Sequence, residues 1–119
     1  MSENLFELAL PSLQNEFKAY NSLQAVADDY GIENIITAYF LVFDIDHPDY
    51  DQRVTNLEME LGGCNFLYHL PPEGHSYNSK NYQDRLFLFE YETTIEEISK
   101  IVGSVAITIE TVDPQRLLK

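Results

Sequence analysis

TAYFLVFDID, residues 37–46, is the longest run of strand-forming apolar residues in the chain, and it closes on two carboxylates. From Ile35 to Ile45 the apolar character is nearly continuous (Ala38, Tyr39, Phe40, Leu41, Val42, Phe43), the pattern of an interior strand covered on both faces. Working outward, Asp46-His47-Pro48-Asp49 ends the strand. Asp49 is a suitable N-cap with Gln52 three residues on, and Tyr50, Val54, Leu57 and Leu61 then mark a helical face that stops at Gly62-Gly63. A second strand is expected over Asn65–Leu70, where Phe66, Tyr68 and Leu70 alternate with Asn65, Leu67 and His69.

Residues 71–82, PPEGHSYNSKNY, read as a loop, with two prolines, a glycine and no period. Arg85–Tyr91 reads as a third strand, apolar on both faces. Thr94-Ile95-Glu96-Glu97 is a capping box opening a short helix with Ile95, Ile98, Ile101 and Val102 inward and Gly103 at its end. Val105, Ile107 and Ile109 alternate with Ala106, Thr108 and Glu110 as the last strand, and the tail from Pro114 is expected to add an edge strand or fray.

Upstream of the central strand, residues 4–30 read as helix. Leu13, Phe17, Tyr20, Leu23, Val26, Ala27 and Tyr30 recur at three- and four-residue steps, Pro11 suits a first turn, and Gly31 is a natural stop. Asn21-Ser22 is a point at which the segment divides into two helices, with Leu5, Phe6, Leu8 and Leu10 in a short preceding turn. Asp28 and Asp29 stand at the wrong end of the helix macrodipole, a small local cost that is either met by a contact elsewhere or simply tolerated.

The resulting order, a helical arm followed by βαββαβ, is that of the ferredoxin-like split βαβ: an α+β fold with a four-stranded antiparallel sheet and both later helices on one face. A single domain over 1–119 is expected, with the arm at 1–33 and the core at 35–112. The sheet's other face bears residues such as Tyr39, Leu41, Phe87 or Phe89. Exposing it would cost roughly 25 cal/mol per Å² of apolar area, so either the N-terminal helices or a second copy of the chain must cover it.

The segments YFLVFDIDHPDYDQRVTNLEMELGGCNFLYHL, RLFLFEYETTIEEISKIVG and SVAITIETV resemble a ferredoxin-like group. It includes the small CRISPR adaptation subunit, the VapD toxins, the SinR-like proteins and the GhoS antitoxin. Four features carry the resemblance: a first strand closing in Asp (Phe43-Asp44), a Pro-Asp-Tyr turn (Pro48, Asp49, Tyr50), a Leu-Gly-Gly helix end (Leu61 to Gly63), and a Thr-x-x-Glu-Ile second helix (Thr94 to Ile98). The match covers about residues 37–112. It implies the same architecture and, for its nuclease members, a strand-end Asp from each protomer of a dimer, which maps here onto Asp44. The Pro71–Tyr82 excursion is longer than the family's connecting loop, and nucleic-acid-binding members carry more basic residues.

Charge bounds function further. Twenty acids against seven bases give a net charge of −13, and residues 1–61 hold 12 of the acids with only Lys18 and Arg53 as bases. Nucleic-acid affinity comes largely from Lys and Arg displacing counterions at phosphates, so direct nucleic-acid binding is disfavoured. A basic protein partner is favoured instead, because complementary potentials speed association. Simple solubility accounts for an acidic balance equally well. One cysteine, Cys64, excludes an internal disulfide framework. With no basic leader and no window long enough to span a bilayer, the expected location is the cytoplasm, away from membranes.

The candidate site residues follow from these readings. Asp44 and Asp46, two apart on a strand, project on one side, where they could share Mg²⁺; no other cofactor is implied. Under the nuclease reading they are the catalytic residues and Asp44 the metal ligand. Solvation of a strand end is the plainer role for both. His47, His69 and His75 fit no zinc spacing, and Cys64 reads as a small buried hydrophobe. Partner contacts are assigned to Asp49, Asp51, Glu58 and Glu60 on the acidic half and to Tyr77 and Tyr82 in the polar loop. Three functions result: an inhibitor or antitoxin-type protein whose extreme form is a nucleic-acid mimic of anti-CRISPR or anti-restriction type, a metal-dependent endoribonuclease, and a homodimeric structural subunit.

Overall fold

The central stretch forms strand β1, Thr37–Asp44, with six consecutive buried residues from Ala38 to Phe43. In the computed structural model, which describes residues 5–61, 64–68 and 82–118, the fold is α+β. Helices α1 (Leu5–Phe17) and α2 (Leu23–Tyr30) precede β1. Helix α3 (Tyr50–Leu61), strands β2 (Cys64–Tyr68) and β3 (Tyr82–Phe89), helix α4 (Ile95–Val102) and strand β4 (Ala106–Val112) follow it. Two short 3₁₀ turns, Gly103–Val105 and Pro114–Leu118, flank β4. Strands β3, β1 and β4 form the three-stranded antiparallel body of the sheet. The backbone of β2 pairs along the outer side of β3, giving the order β2-β3-β1-β4.

Residues 35, 36 and 45 fall outside β1, and Ile36 and Ile45 are exposed. Strand β3 starts three residues earlier than its apolar run suggests and stops at Phe89, so Tyr91 is exposed. Alternation along β1 divides two cores. Tyr39, Leu41 and Phe43 join Phe87, Phe89, Val54, Leu57, Ile98 and Val102 beneath α3 and α4. Ala38, Phe40 and Val42 join Leu86 and Leu88 beneath the N-terminal helices.

The residues expected on the face that the chain's own arm covers, Tyr39, Leu41, Phe87 and Phe89, lie on the opposite face beneath α3 and α4, because the alternation of the two strands runs the other way. The arm covers the face bearing Ala38, Phe40, Val42, Leu86 and Leu88. Phe6, Leu10, Leu13 and Phe17 of α1 are all buried against it, with Val26 of α2 and Leu117 of the C-terminal turn. Pro11 was expected in a first turn; it lies in the interior of α1 instead. An interior proline costs a helix about 3 kcal/mol. The 6–10–13–17 spacing buries four large apolar side chains, each contributing roughly 1.5–3 kcal/mol, so packing outweighs the proline. The tail neither frays nor adds a strand. Its turn clamps α1, with Arg116 paired to Glu7 and Gln14 donating to the Arg116 carbonyl at 2.9 Å.

Helix α2 begins at Ser22, whose hydroxyl accepts the Ala25 N–H, and ends at Gly31 in the left-handed region. The divided-helix reading holds, so Tyr20 lies between the helices. Asp28 and Asp29 find donors in Gln24 Nε2 and the Tyr20 hydroxyl. The Asp29 carboxylate, followed by a contact with Tyr30, pushes the Tyr20 phenol well above its ordinary range.

The capping box of α4 forms as expected, Thr94 accepting from Glu97 N–H and the Glu97 carboxylate accepting from Thr94 N–H. Ile95, expected inward, is exposed. Along β4 the even alternation fails, because the pairing with β1 slips between Val42 and Phe43 and Ile107 becomes the bulged, exposed residue. The bulge puts Ala106 and Ile109 against the same core, which strict alternation cannot do. Among the described residues no helix is long and apolar enough to cross a membrane.

Candidate functional site

The end of the sheet at which β1 stops brings together several residues singled out in the sequence. Asp44 is the last residue of β1, while Asp46 lies in the following turn. The expectation that both project from one side of a strand therefore fails. Asp44 Oδ1 accepts the Asp46 N–H at 3.0 Å, and its carbonyl accepts the His47 N–H at 3.2 Å. This is an Asx turn, in which a short carboxylate substitutes for the ladder at the point where the strand ends. Among the described residues no three His, Cys, Asp or Glu side chains gather around a common point.

His47 is the better-organised side chain. Its Nδ1 accepts the Asp49 N–H at 3.0 Å, which leaves the neutral ring's proton on Nε2, 3.1 Å from Ser104 Oγ. Nε2 then donates to the hydroxyl. A general base must do the opposite and accept the serine's proton, so this pair cannot make Ser104 a nucleophile. It acts as a tie between the β1–α3 turn and the turn that precedes β4. Sequence reasoning missed Ser104, which stands 57 residues from His47 with no motif around it.

Helix α3 opens where the sequence places it. The Asp49 carbonyl accepts the Arg53 N–H at 2.9 Å as an N-cap carbonyl does. Gln52 does not close a capping box; its amide donates to Asn56. Tyr50 packs edge-on against Phe43, donates its hydroxyl to Gln83 Oε1 at 2.7 Å and accepts from Arg85 Nη2 at 2.7 Å. The Arg85 guanidinium also lies over the Tyr50 ring. Arg53 Nη1 donates to the Ile101 carbonyl at 3.0 Å in the last turn of α4. Arg116 is held by Glu7 and by the face of Phe6.

Every arginine in the chain thus serves an internal contact, whereas Asp46, Asp49, Asp51, Glu58 and Glu60 are all exposed. Lys18 and Lys100 are exposed as well, one on each side of the sheet's two helical covers. Residues 46–61 carry Asp46, Asp49, Asp51, Glu58 and Glu60 against Arg53 alone, so the field around α3 is more negative than the seven-to-twenty ratio of bases to acids conveys. Of the two tyrosines assigned to partner contact, Tyr77 lies outside the described residues, and Tyr82 opens β3 opposite Asp44. His69 and His75 also lie outside the described residues. Cys64 is the first residue of β2.

No family model matches the chain, and no curated protein matches it.

Proposed function

We propose that this chain is a small acidic binding protein of inhibitor or antitoxin type, built on a ferredoxin-like βαββαβ core and acting in the cytoplasm on a basic partner protein. One observation carries the reading. The arginines are drawn into internal contacts, while the acids of the β1–α3 turn and of α3 stand in solvent. A surface of that kind raises encounter rates with cationic surfaces and repels polynucleotides. In its furthest form it is a nucleic-acid mimic, carboxylates standing where phosphates would, of the anti-CRISPR or anti-restriction kind. The ferredoxin-like assignment draws support from the antiparallel strand order and from α3 and α4 sharing one face.

The test is affinity capture from the source cells with the wild-type chain and with a variant carrying D49K, D51K, E58K and E60K. All four positions are exposed, and circular dichroism and melting verify that the variant folds. The expected result is a basic protein retained by the wild type, released by salt and lost with the variant. Cleavage of RNA by the purified chain with Mg²⁺ or Mn²⁺, abolished by D44A, would overturn the reading in favour of a nuclease.

A further inference from the structure

The opposite end of the sheet, where β1 begins and β3 ends, gathers exposed apolar and acidic side chains. Residues 28–37 and 90–96 meet there. Ile36 N–H donates to the Phe89 carbonyl at 2.9 Å, Glu33 N–H to Glu90 Oε2 at 3.1 Å, and the Thr37 hydroxyl to the Tyr91 carbonyl at 2.9 Å. Four of the seven large apolar side chains exposed among the described residues fall on these two short segments: Tyr30 at 44%, Ile36 at 46%, Tyr91 at 58% and Ile95 at 40%. Scattered single exposed hydrophobics need no explanation, but a concentration at one end of a small protein marks a contact surface.

The same segments contain six acids, Asp28, Asp29, Glu33, Glu90, Glu92 and Glu96, and no base. The donors seen on them, the Gln24 amide, the Tyr20 hydroxyl and the Glu33 N–H, are neutral, so the negative charge stays uncompensated. Charge then selects the occupant. A second copy would set six carboxylates against six more, and like charges facing one another across an interface oppose association. We infer that this end is a docking surface for a foreign protein segment that presents an apolar anchor flanked by Lys or Arg. The exposed apolar side chains at this end receive the anchor and the carboxylates receive the flanking cations. The inference rests on the proposed basic partner and gives it a second contact, at the end of the sheet opposite Asp49 and the start of α3.

The experiment titrates the isotope-labelled full chain with a synthetic Lys/Arg-rich peptide bearing a central Leu-Trp pair, followed by amide NMR. Two further peptides replace the pair by Ser-Ser or the bases by Glu. Expected are amide shifts confined to residues 28–37 and 90–96, about tenfold weaker binding in Y91S or I36S, and comparable loss on replacing the Leu-Trp pair. Raising salt from about 50 to about 500 mM weakens the complex further, and the Glu peptide does not bind. Circular dichroism and melting of both variants verify that they fold. Shifts confined to 46–60 would overturn this surface while leaving the proposed function standing. Absence of binding by the Lys/Arg peptide would overturn both, and tight self-association blocked by Y91S would identify a second copy as the occupant and overturn the inference.

Discussion

Replacing Tyr39 by phenylalanine isolates one hydrogen bond that holds the turn between β3 and α4. The Tyr39 side chain is 5% exposed, and its hydroxyl donates to the Thr93 carbonyl at 2.8 Å, 54 residues away in sequence. The ring packs against Phe89 at 6.3 Å between centroids, a contact that phenylalanine preserves. The loss is therefore confined to a buried hydrogen bond plus the desolvation of an acceptor left without that donor, about 1–2 kcal/mol. At roughly 2.1 cal/mol/K per residue, a chain of 119 residues unfolds with an entropy of about 0.25 kcal/mol/K, so a loss of ~1.5 kcal/mol lowers Tm by about 6 °C. Urea unfolding should show an unchanged slope and a midpoint lower by about 0.7 M, for a slope near 2 kcal/mol/M.

The pH dependence gives a second, independent reading of the same bond. Burial first, and then the nearby Glu96 and Glu97, hold the Tyr39 phenol above its ordinary value of 10.0. A group whose pKa is raised on folding contributes stability that is complete below its unfolded value and is lost as pH rises through its folded value. Wild type should therefore lose stability above about pH 10 more steeply than Y39F, and the gap between the two should narrow there. Equal midpoints for the two proteins at pH 7, or a gap that stays constant through alkaline titration, would refute the assignment of this bond as the anchor of the turn.

Gly103 follows α4 with φ 57° and ψ −140°, a conformation reserved almost wholly for glycine. An added Cβ would meet only Arg53 Cζ at 3.9 Å, so G103A should cost about 1–3 kcal/mol through backbone strain without a clash, measurable by chemical denaturation. At the C-terminal clamp, the hydrogen bond from Arg116 holds the Glu7 carboxyl below its ordinary 4.5. A depressed carboxylate pKa contributes stability that is present above the unfolded value and lost as pH falls through the folded one. The Tm difference between wild type and E7Q should accordingly disappear on acidification below about pH 4.5, and a difference that persists to pH 2 would count against the pairing.

How much of this fold is legible in the chain depends on the range of the interaction that decides each part. The central strand, the α4 capping box and the stops at Gly31 and Gly103 are local, and the sequence shows them to within two or three residues. The features that were not legible join distant residues. Helix α1 runs through Pro11 because its apolar face is buried along its length and its first turn is docked on distant residues. The Phe6 N–H donates to Glu110 Oε1 at 3.3 Å, 104 residues away, and Glu7 meets Arg116, 109 residues away. Glu110 itself reads as an outward-facing residue of an alternating strand, and nothing near it announces a helix N-terminus. The bulge at Ile107 is similarly a product of pairing with β1, invisible to a period of two. At the candidate site the residues were visible and their geometry was not. Asp44 and Asp46 look paired until the strand is seen to end between them.

Net charge alone does not separate a protein kept soluble by its acids from one that recognises a partner through them, since both read −13 from the chain. Position separates them. Acids that serve solubility have no reason to be placed beside exposed apolar groups, and a charged rim around such a patch is the arrangement that makes an apolar surface selective for one sign of partner. Here Tyr91 is flanked in sequence by Glu90 and Glu92, Ile95 by Glu96, and Tyr30 by Asp29, all on two segments that the start of β1 and the end of β3 bring together. The arginines that could have neutralised this charge are bound elsewhere, at α4, at Tyr50 and at Glu7. Internal contacts thus occupy the arginines, and the sheet's topology has gathered anions and apolar side chains at one end. That coincidence is what a solubility role alone does not require and what a basic partner with an apolar anchor would exploit.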